Sequence, residues 1–293
     1  MMQSPEFHKN YKPDERLRNS FFDFTPKVFS GLSFKDWYDR GGWGSKYIPY
    51  SYITETGMIA NVSISEMTIM LNGKDVNAIQ FATVGTLPEY RGQGLSRKLM
   101  EAVLSDYADK VDLMFLFANE TVMDFYPKFG FRHLSESVFS TPVNKLAADF
   151  QARKLDIDDG DDFEILRRLA ATRIPVTERF GARNYGNILL WHALNILPDD
   201  LWYLADDDIL IAFGRDGNRL EIYDILSAHP FSLSALLPKI LTPDIEHIDL
   251  YFSPDCMDIE FSGQEFYHDS PLFVRGDFPL EGMPFKFPAL AQT

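Results

Sequence analysis

The stretch Pro88-Glu89-Tyr90-Arg91-Gly92-Gln93-Gly94-Leu95-Ser96 carries the residue types of an anion cradle. Two glycines spaced by one residue let a backbone turn freely and come close to a ligand. The apolar stripe Leu95, Leu99, Val103 and Tyr107 that follows predicts a helix over about Gly94–Tyr107,. The start of such a helix presents unpaired N–H groups and the positive end of its dipole. Together these features suit a phosphate or pyrophosphate. The plainer alternative is a tight strand-to-helix turn with solvent above it. Two common nucleotide motifs fail: Arg97 stands where a dinucleotide fingerprint needs its third glycine, and no Gly-Lys-Ser/Thr closes a P-loop,.

A second segment, Asn119-Glu120-Thr121-Val122-Met123-Asp124-Phe125-Tyr126-Pro127-Lys128-Phe129-Gly130-Phe131, follows the next apolar run. Taken in order, Arg91-Gly92-Gln93-Gly94-Leu95-Ser96, then Asn119, then Phe125-Tyr126-Pro127-Lys128-Phe129-Gly130-Phe131 resembles the GNAT superfamily of acyl-CoA-dependent N-acyltransferases. The resemblance is firm over about residues 58–135 and looser toward the N-terminus. Ser96 departs from the usual Gly or Ala, and Val122 from the usual Ala. Both replacements are small.

The resemblance implies acetyl-CoA (coenzyme A) as acyl donor. It implies that the strand carrying Gly85 and Thr86 lends backbone hydrogen bonds to the pantetheine arm. It implies that Arg91, Gly92, Gln93, Gly94, Leu95 and Ser96 cradle the pyrophosphate, and that Asn119 and the Tyr126 segment line the other side of the arm. Parted parallel strands, which leave unpaired backbone groups, are physically suited to an amide-rich arm. Acyl transfer to an amine makes an oxyanion and expels a thiolate, so a phenol beside the sulfur can protonate it. Tyr126 is the residue implied for that role, although its phenylalanine neighbours also suit a core position. Glu66 and Glu120 are weak candidates for the general base. Direct attack on the thioester is expected, since the single Cys256 stands outside any motif,.

The elements that must position these groups are legible in outline. Asp14 caps a first helix bearing Leu17, Phe21 and Phe24, expected to end or kink near Thr25 because of Pro26,. Ile59–Met70 and Val76–Thr86 read as strands joined by the Asn72-Gly73 hairpin turn, and Val111–Phe117 as a further strand,. Strand, glycine turn, helix and strand form a βαβ unit with a parallel pair. Trp37, Trp43, Tyr47, Tyr50 and Tyr52 cluster ahead of it, either as an acceptor pocket or as packing,.

With 293 residues and one change of character near residue 145, the chain reads as two domains,. Residues 1–145 are expected to form an acetyl-CoA-binding α/β domain with an α+β mixed sheet, and 150–293 a second one, joined by a linker around Ser137–Asp149. The second half repeats the coarse order of strands and helices. It has Ser227-Ala228-His229-Pro230-Phe231-Ser232 where paired glycines would fall, so it is expected to be a degenerate GNAT-like copy.

The formal charge of −15 argues against a nucleic-acid partner,. Net charge is −2 over residues 1–149 and −13 over 150–293. A small-molecule amine substrate, cationic in body, fits that asymmetry. No metal site is expected, because His133, His229, His247 and His268 have no ligand spacing,. No apolar run reaches membrane-spanning length and Met1–Asn10 is polar, so neither anchor nor signal peptide is expected, and the cytosol is the expected compartment,. Self-association into a homo-oligomer is compatible with the composition. The competing functions are a non-catalytic acyl-CoA sensor and a protein-interaction module.

Overall fold

The computed structural model describes residues 4–29, 31–143, 149–266 and 270–293. Strand β1 (Glu6–Lys9) leads to helix α1 (Glu15–Val28), whose N-terminus is closed by Asp14 accepting from the Leu17 N–H. Pro26 does not end this helix as expected. It sits in the last turn, where the missing N–H is a single loss, and the Phe29 N–H closes the end on the Thr25 carbonyl,. Helix α2 (Phe34–Asp39) follows, then β2 (Tyr47–Thr54), β3 (Gly57–Leu71) and β4 (Lys74–Thr86). Asn72 and Gly73 both have positive φ, 49° and 73°, as a tight hairpin of this twist requires,. Helix α3 (Leu95–Tyr107) buries Leu95, Leu99, Met100, Val103 and Tyr107. Strands β5 (Leu113–Phe117), β6 (Arg132–Leu134) and β7 (Glu136–Pro142) complete the first half.

The second half contains β8 (Arg153–Lys154), α4 (Gly160–Thr172), β9 (Phe180–Arg183), α5 (Gly186–Asn195), β10 (Leu201–Leu204), β11 (Ile209–Asp216), β12 (Arg219–Leu226), α6 (Leu233–Leu236), β13 (His247–Leu250), β14 (Ser262–Phe266) and β15 (Leu272–Gly276). Its expected opening strand, Ala152–Ile157, is reduced to the two residues of β8.

Two mixed sheets result. The first runs β1-β2-β3-β4-β5-β15-β6, with β9 added on β3. The second runs β8-β10-β11-β12-β13-β7-β14. Each has a single parallel pair in the middle, β4 with β5 and β12 with β13, among antiparallel neighbours. Each also takes its sixth strand from the other half of the chain: β15 pairs with β5 and β6, and β7 pairs with β13 and β14. The strands therefore cross the expected division into 1–145 and 150–293. Part of the expected linker, Ser137–Pro142, is itself β7, and residues 144–148 lie outside those described.

The exchange is held by chemistry at the strand ends. Buried Glu136, at the start of β7, accepts from Lys286 Nζ at 2.6 Å and from the Phe287 N–H at 2.8 Å. Phe287 packs on Phe180 and Phe115, with centroids 4.6 and 5.2 Å away. The Pro- and Phe-rich C-terminal segment is thus an irregular strap, exposed at Glu281–Pro284, buried and extended over Phe285–Pro288, with a short 3-10 turn at Ala289–Ala291. No helix among the described residues is long and apolar enough to cross a membrane.

Candidate active site

β4 and β5 pair only over Ala78–Leu113, Ile79–Met114 and Gln80–Phe115. Beyond Gln80, β4 runs on to Thr86 while β5 stops at Phe117, so the two strands part. A bulge sits in the diverging stretch. Asn61 faces Gly85 and Ser63 faces Ala82, which leaves two β4 residues, Thr83 and Val84, opposite one on β3. Thr83 has φ +49°, an uncommon conformation for a β-branched residue,. Its hydroxyl is 2.7 Å from the Tyr47 phenol, and its carbonyl accepts from Asn61 Nδ2 at 2.8 Å. Asn61 Oδ1 in turn accepts from Ser51 Oγ, which bonds Tyr11. This buried polar chain pins the bulge. Sequence reasoning did not find Thr83, because threonine in an apolar run reads as ordinary strand.

A cavity of about 670 Å³ opens where the strands part. Thr83, Val84, Leu116, Phe117, Asn119, Val122 and Tyr126 line it from the sheet side. Phe29, Leu32, Phe34, Trp37 and Tyr47 line it from the N-terminal helices and β2. Ile188 and Trp191 of α5, with Ser270 and Thr293, line it from the second half.

The expected site residues fall as follows. Tyr126 is buried at 5% exposure in a 3-10 turn, Tyr126–Phe129. Its ring packs against Phe125, Phe131 and Phe273, the last on exchanged strand β15. Its phenol has no hydrogen-bond partner among the described residues. Burial pushes its pKa up to about 12, so it is a neutral donor at physiological pH,. Asn119 Oδ1 accepts from the Thr121 N–H and hydroxyl, capping a 3-10 turn, which leaves its NH2 group as a donor.

Gly92 and Gly94 have φ +77° and +75°, and a Cβ at either would have no atom of the described residues within 4 Å. Gly94 is the N-cap of α3. Ser96 does not simply fill the place of a smaller residue: its hydroxyl lies 2.7 Å from Thr86 Oγ1 and ties the helix start to the end of β4. Arg91 folds back, with Nε donating to the Thr86 carbonyl at 3.3 Å. Arg91, Gln93 and both glycines are exposed, and Leu95 is buried beneath them. Gly85 is glycine for a steric reason. A Cβ there would lie 2.6 Å from Val28 Cγ1 and 3.3 Å from the Phe29 ring.

Neither acidic candidate lines the cavity. Glu66 accepts from the Tyr107 phenol of α3 at 2.5 Å. Glu120 is exposed beside Asn119. The aromatic cluster divides. Trp37 and Tyr47 reach the cavity, Trp43 is buried behind them, and Tyr50 donates to Asp106 of α3. The acidic runs of the second half are also elsewhere: Asp207 pairs with Lys239, Asp208 with Arg168, and Asp162 with Arg153.

The C-terminal strap enters the gap between β4 and β5. Gln80 Nε2 donates to the Ala291 carbonyl at 2.9 Å, and Gln80 Oε1 accepts from the Thr293 N–H at 2.6 Å. The Thr293 hydroxyl donates to the Phe81 carbonyl at 3.0 Å. From α5, His192 Nε2 lies 2.7 Å from the Gln292 carbonyl. Desolvation lowers the His192 pKa to about 4, so the ring is neutral and Nε2–H is the donor,. No pattern in the sequence joins Gln80 or His192 to the tail.

Residues 52–134 match the family model for the acetyltransferase (GNAT) domain. No curated protein matches. Among solved structures, a protein of Enterococcus faecalis described as a probable N-acyltransferase superposes with TM-score 0.62 at 16% identity, over 93% of this chain and 72% of that one. A GCN5-related N-acetyltransferase of Kribbella flavida gives 0.57 at 17%, over 92% and 71%. Eis1 of Mycobacterium abscessus gives 0.55 at 14%, over 92% and 73%. The chain has the GNAT-type acetyltransferase fold, and the likeness runs through both of its sheets.

Proposed function

We propose that the protein is an N-acetyltransferase moving an acetyl group from acetyl-CoA to the primary amine of a small cationic molecule. The observation that carries this reading is the phenol of Tyr126, without a hydrogen-bond partner among the described residues, in the wall of the cavity where β4 and β5 part. The residues present suit the donor. The open, left-handed Gly92 and Gly94 leave room above the N–H groups at the start of α3, where a pyrophosphate would be held,. Backbone groups of β4 around Gly85 and Thr86 and the NH2 of Asn119 would hold the amide-rich arm,. Acetyl-CoA supplies an activated thioester when bound.

The ammonium gives one proton to water and its neutral nitrogen forms a bond to the thioester carbon; the nitrogen's second surplus proton, passed through water, restores the Tyr126 phenol after the donation that follows. The carbon–sulfur bond breaks, and Tyr126 donates its phenolic proton to the leaving thiolate. We read the second sheet, with β7 in place of β15, as the core of a degenerate copy of the same unit: it repeats the strand pattern, yet the segment after β12 has no glycine pair and leads into the four-residue α6. The acidity of that half supplies a long-range field that draws an ammonium ion toward the protein,.

Calorimetric titration with acetyl-CoA tests the first step, with one site per chain expected. Release of free CoA in the presence of an amine tests the second. A sensor would bind acetyl-CoA and release no CoA with any amine. A stoichiometry of two, or no binding, would remove the reading altogether.

A further inference from the structure

The reading of this protein as an N-acetyltransferase does not say what body the amine carries; resting on that reading, we infer that the acceptor is a monoamine with an apolar, aryl-alkyl or alkyl body, seated between α2 and α5. Phe29, Leu32, Phe34, Trp37, Ile188 and Trp191 form this part of the cavity wall. Among the described residues, no Asp, Glu, Lys, Arg or His side chain lines the cavity. A second or third ammonium of a polyamine would enter with no side-chain carboxylate of the described residues to pair it, and an unpaired charge away from water is strongly disfavoured,. The acidic half attracts cations at long range, but its Asp207, Asp208 and Asp162 are engaged by Lys239, Arg168 and Arg153 outside the cavity. One ammonium, neutralised when it loses its proton, is what this wall accepts.

The wall is also built. Trp37 Nε1 donates to the Asn187 carbonyl at 2.7 Å, which fixes α2 against α5. The Ser33 N–H donates to Asn195 Oδ1 at 2.7 Å across the same junction. Trp191 packs on Phe34 with centroids 5.9 Å apart. Among the described residues, two buried polar atoms of the cavity lining lack partners: Ser65 Oγ, on a residue only 1% exposed, and Trp191 Nε1. The indole N–H is a donor only, so a neutral oxygen on the ligand body, a hydroxyl or carbonyl, suits it where a second ammonium does not.

The test is kcat/KM for acetyl transfer by the full chain, read as CoA release, with 2-phenylethylamine, tryptamine and hexylamine against putrescine and spermidine. The three apolar monoamines are expected to exceed the two polyamines by about tenfold or more, the scale that one well-filled apolar pocket provides. Trp191→Glu places a carboxylate in the wall and is expected to reverse the order. Trp191→Phe keeps an apolar ring there and is expected to preserve it. Calorimetry of tryptamine and spermidine into the CoA-saturated protein gives a readout independent of turnover, and circular dichroism checks that Trp191→Glu is folded. Preference of the wild type for spermidine would overturn the inference while leaving the transferase reading intact. So would an octanoyl-CoA rate about tenfold above that with acetyl-CoA and indifferent to the amine, which would assign the apolar wall to the acyl chain. Failure of acetyl-CoA to bind at all would instead bring down the underlying reading.

Discussion

Replacing Tyr126 with Phe removes one oxygen and little else. The ring keeps its contacts with Phe125, Phe131 and Phe273. The hydroxyl has no partner among the described residues, so its loss breaks no hydrogen bond to them. Stability should therefore change by less than about 1 kcal/mol, and in the favourable direction if the phenol is poorly solvated at 5% exposure,. In the proposed transition state the same hydroxyl would face a sulfur gaining negative charge. A hydrogen bond to a charged partner contributes about 1.5–3 kcal/mol, and full proton transfer contributes more. At about 1.4 kcal/mol per decade, kcat should fall about tenfold to a thousandfold. Affinity for acetyl-CoA should stay within about twofold, since in the proposed site backbone groups, rather than this phenol, would hold the arm. Thiol release measured with a chromogenic reagent gives kcat, calorimetry gives affinity, and urea unfolding gives stability. Because burial raises the phenol to about 12, no loss of rate from its ionisation should appear up to about pH 10,. An unchanged kcat would refute the reasoning and leave Tyr126 as a wall of the cavity. A parallel fall in stability and affinity would show that packing, not proton donation, was lost.

Three further outcomes follow from particular geometries. Gly94→Val forces a β-branched residue to φ +75° and puts its branches into the open space above α3, so calorimetry should detect no acetyl-CoA binding while the fold persists by circular dichroism,. Gly85→Ala should cost about 1–3 kcal/mol by overpacking against Val28, and adding Val28→Ala should recover most of it,; additive losses in urea unfolding would contradict the contact. For His192, the ordinary value of 6.5 is lowered to about 4 in the folded chain. Above 6.5 both states are neutral and the group has no effect. As pH falls below that value the unfolded chain takes up a proton that the folded chain refuses, and roughly 3 kcal/mol of stability is lost by about pH 4. His192→Gln, which can still donate to Gln292, should flatten the urea midpoint between about pH 6.5 and 4 relative to wild type. Equal slopes in the two proteins would show that the ring is not held neutral.

What the sequence determined by itself is local. The Asn72-Gly73 hairpin, the Asp14 cap and the apolar stripe of α3 each express a preference set within one turn or one period, and each holds in the structure. The order of strand, glycine turn, helix and strand is likewise a short-range signal, and it produced the parallel β4–β5 pair. Tertiary structure alone decided the rest. Glu136–Pro142 lacks an apolar period because its buried glutamate is neutralised by Lys286, a partner 150 residues away, so it read as linker instead of as a strand of the other sheet. Thr83 adopts a left-handed conformation that its residue type disfavours, because Tyr47 and Asn61 hold it there from β2 and β3. Ile188 and Trp191 reach the cavity because α5 is bonded to α2 through Trp37 and Asn187, and Thr293 because the strap bonds Gln80. A side chain's type sets what it can bond, but strand exchange over this distance sets what it meets, and no neighbouring residue in the sequence reports that choice.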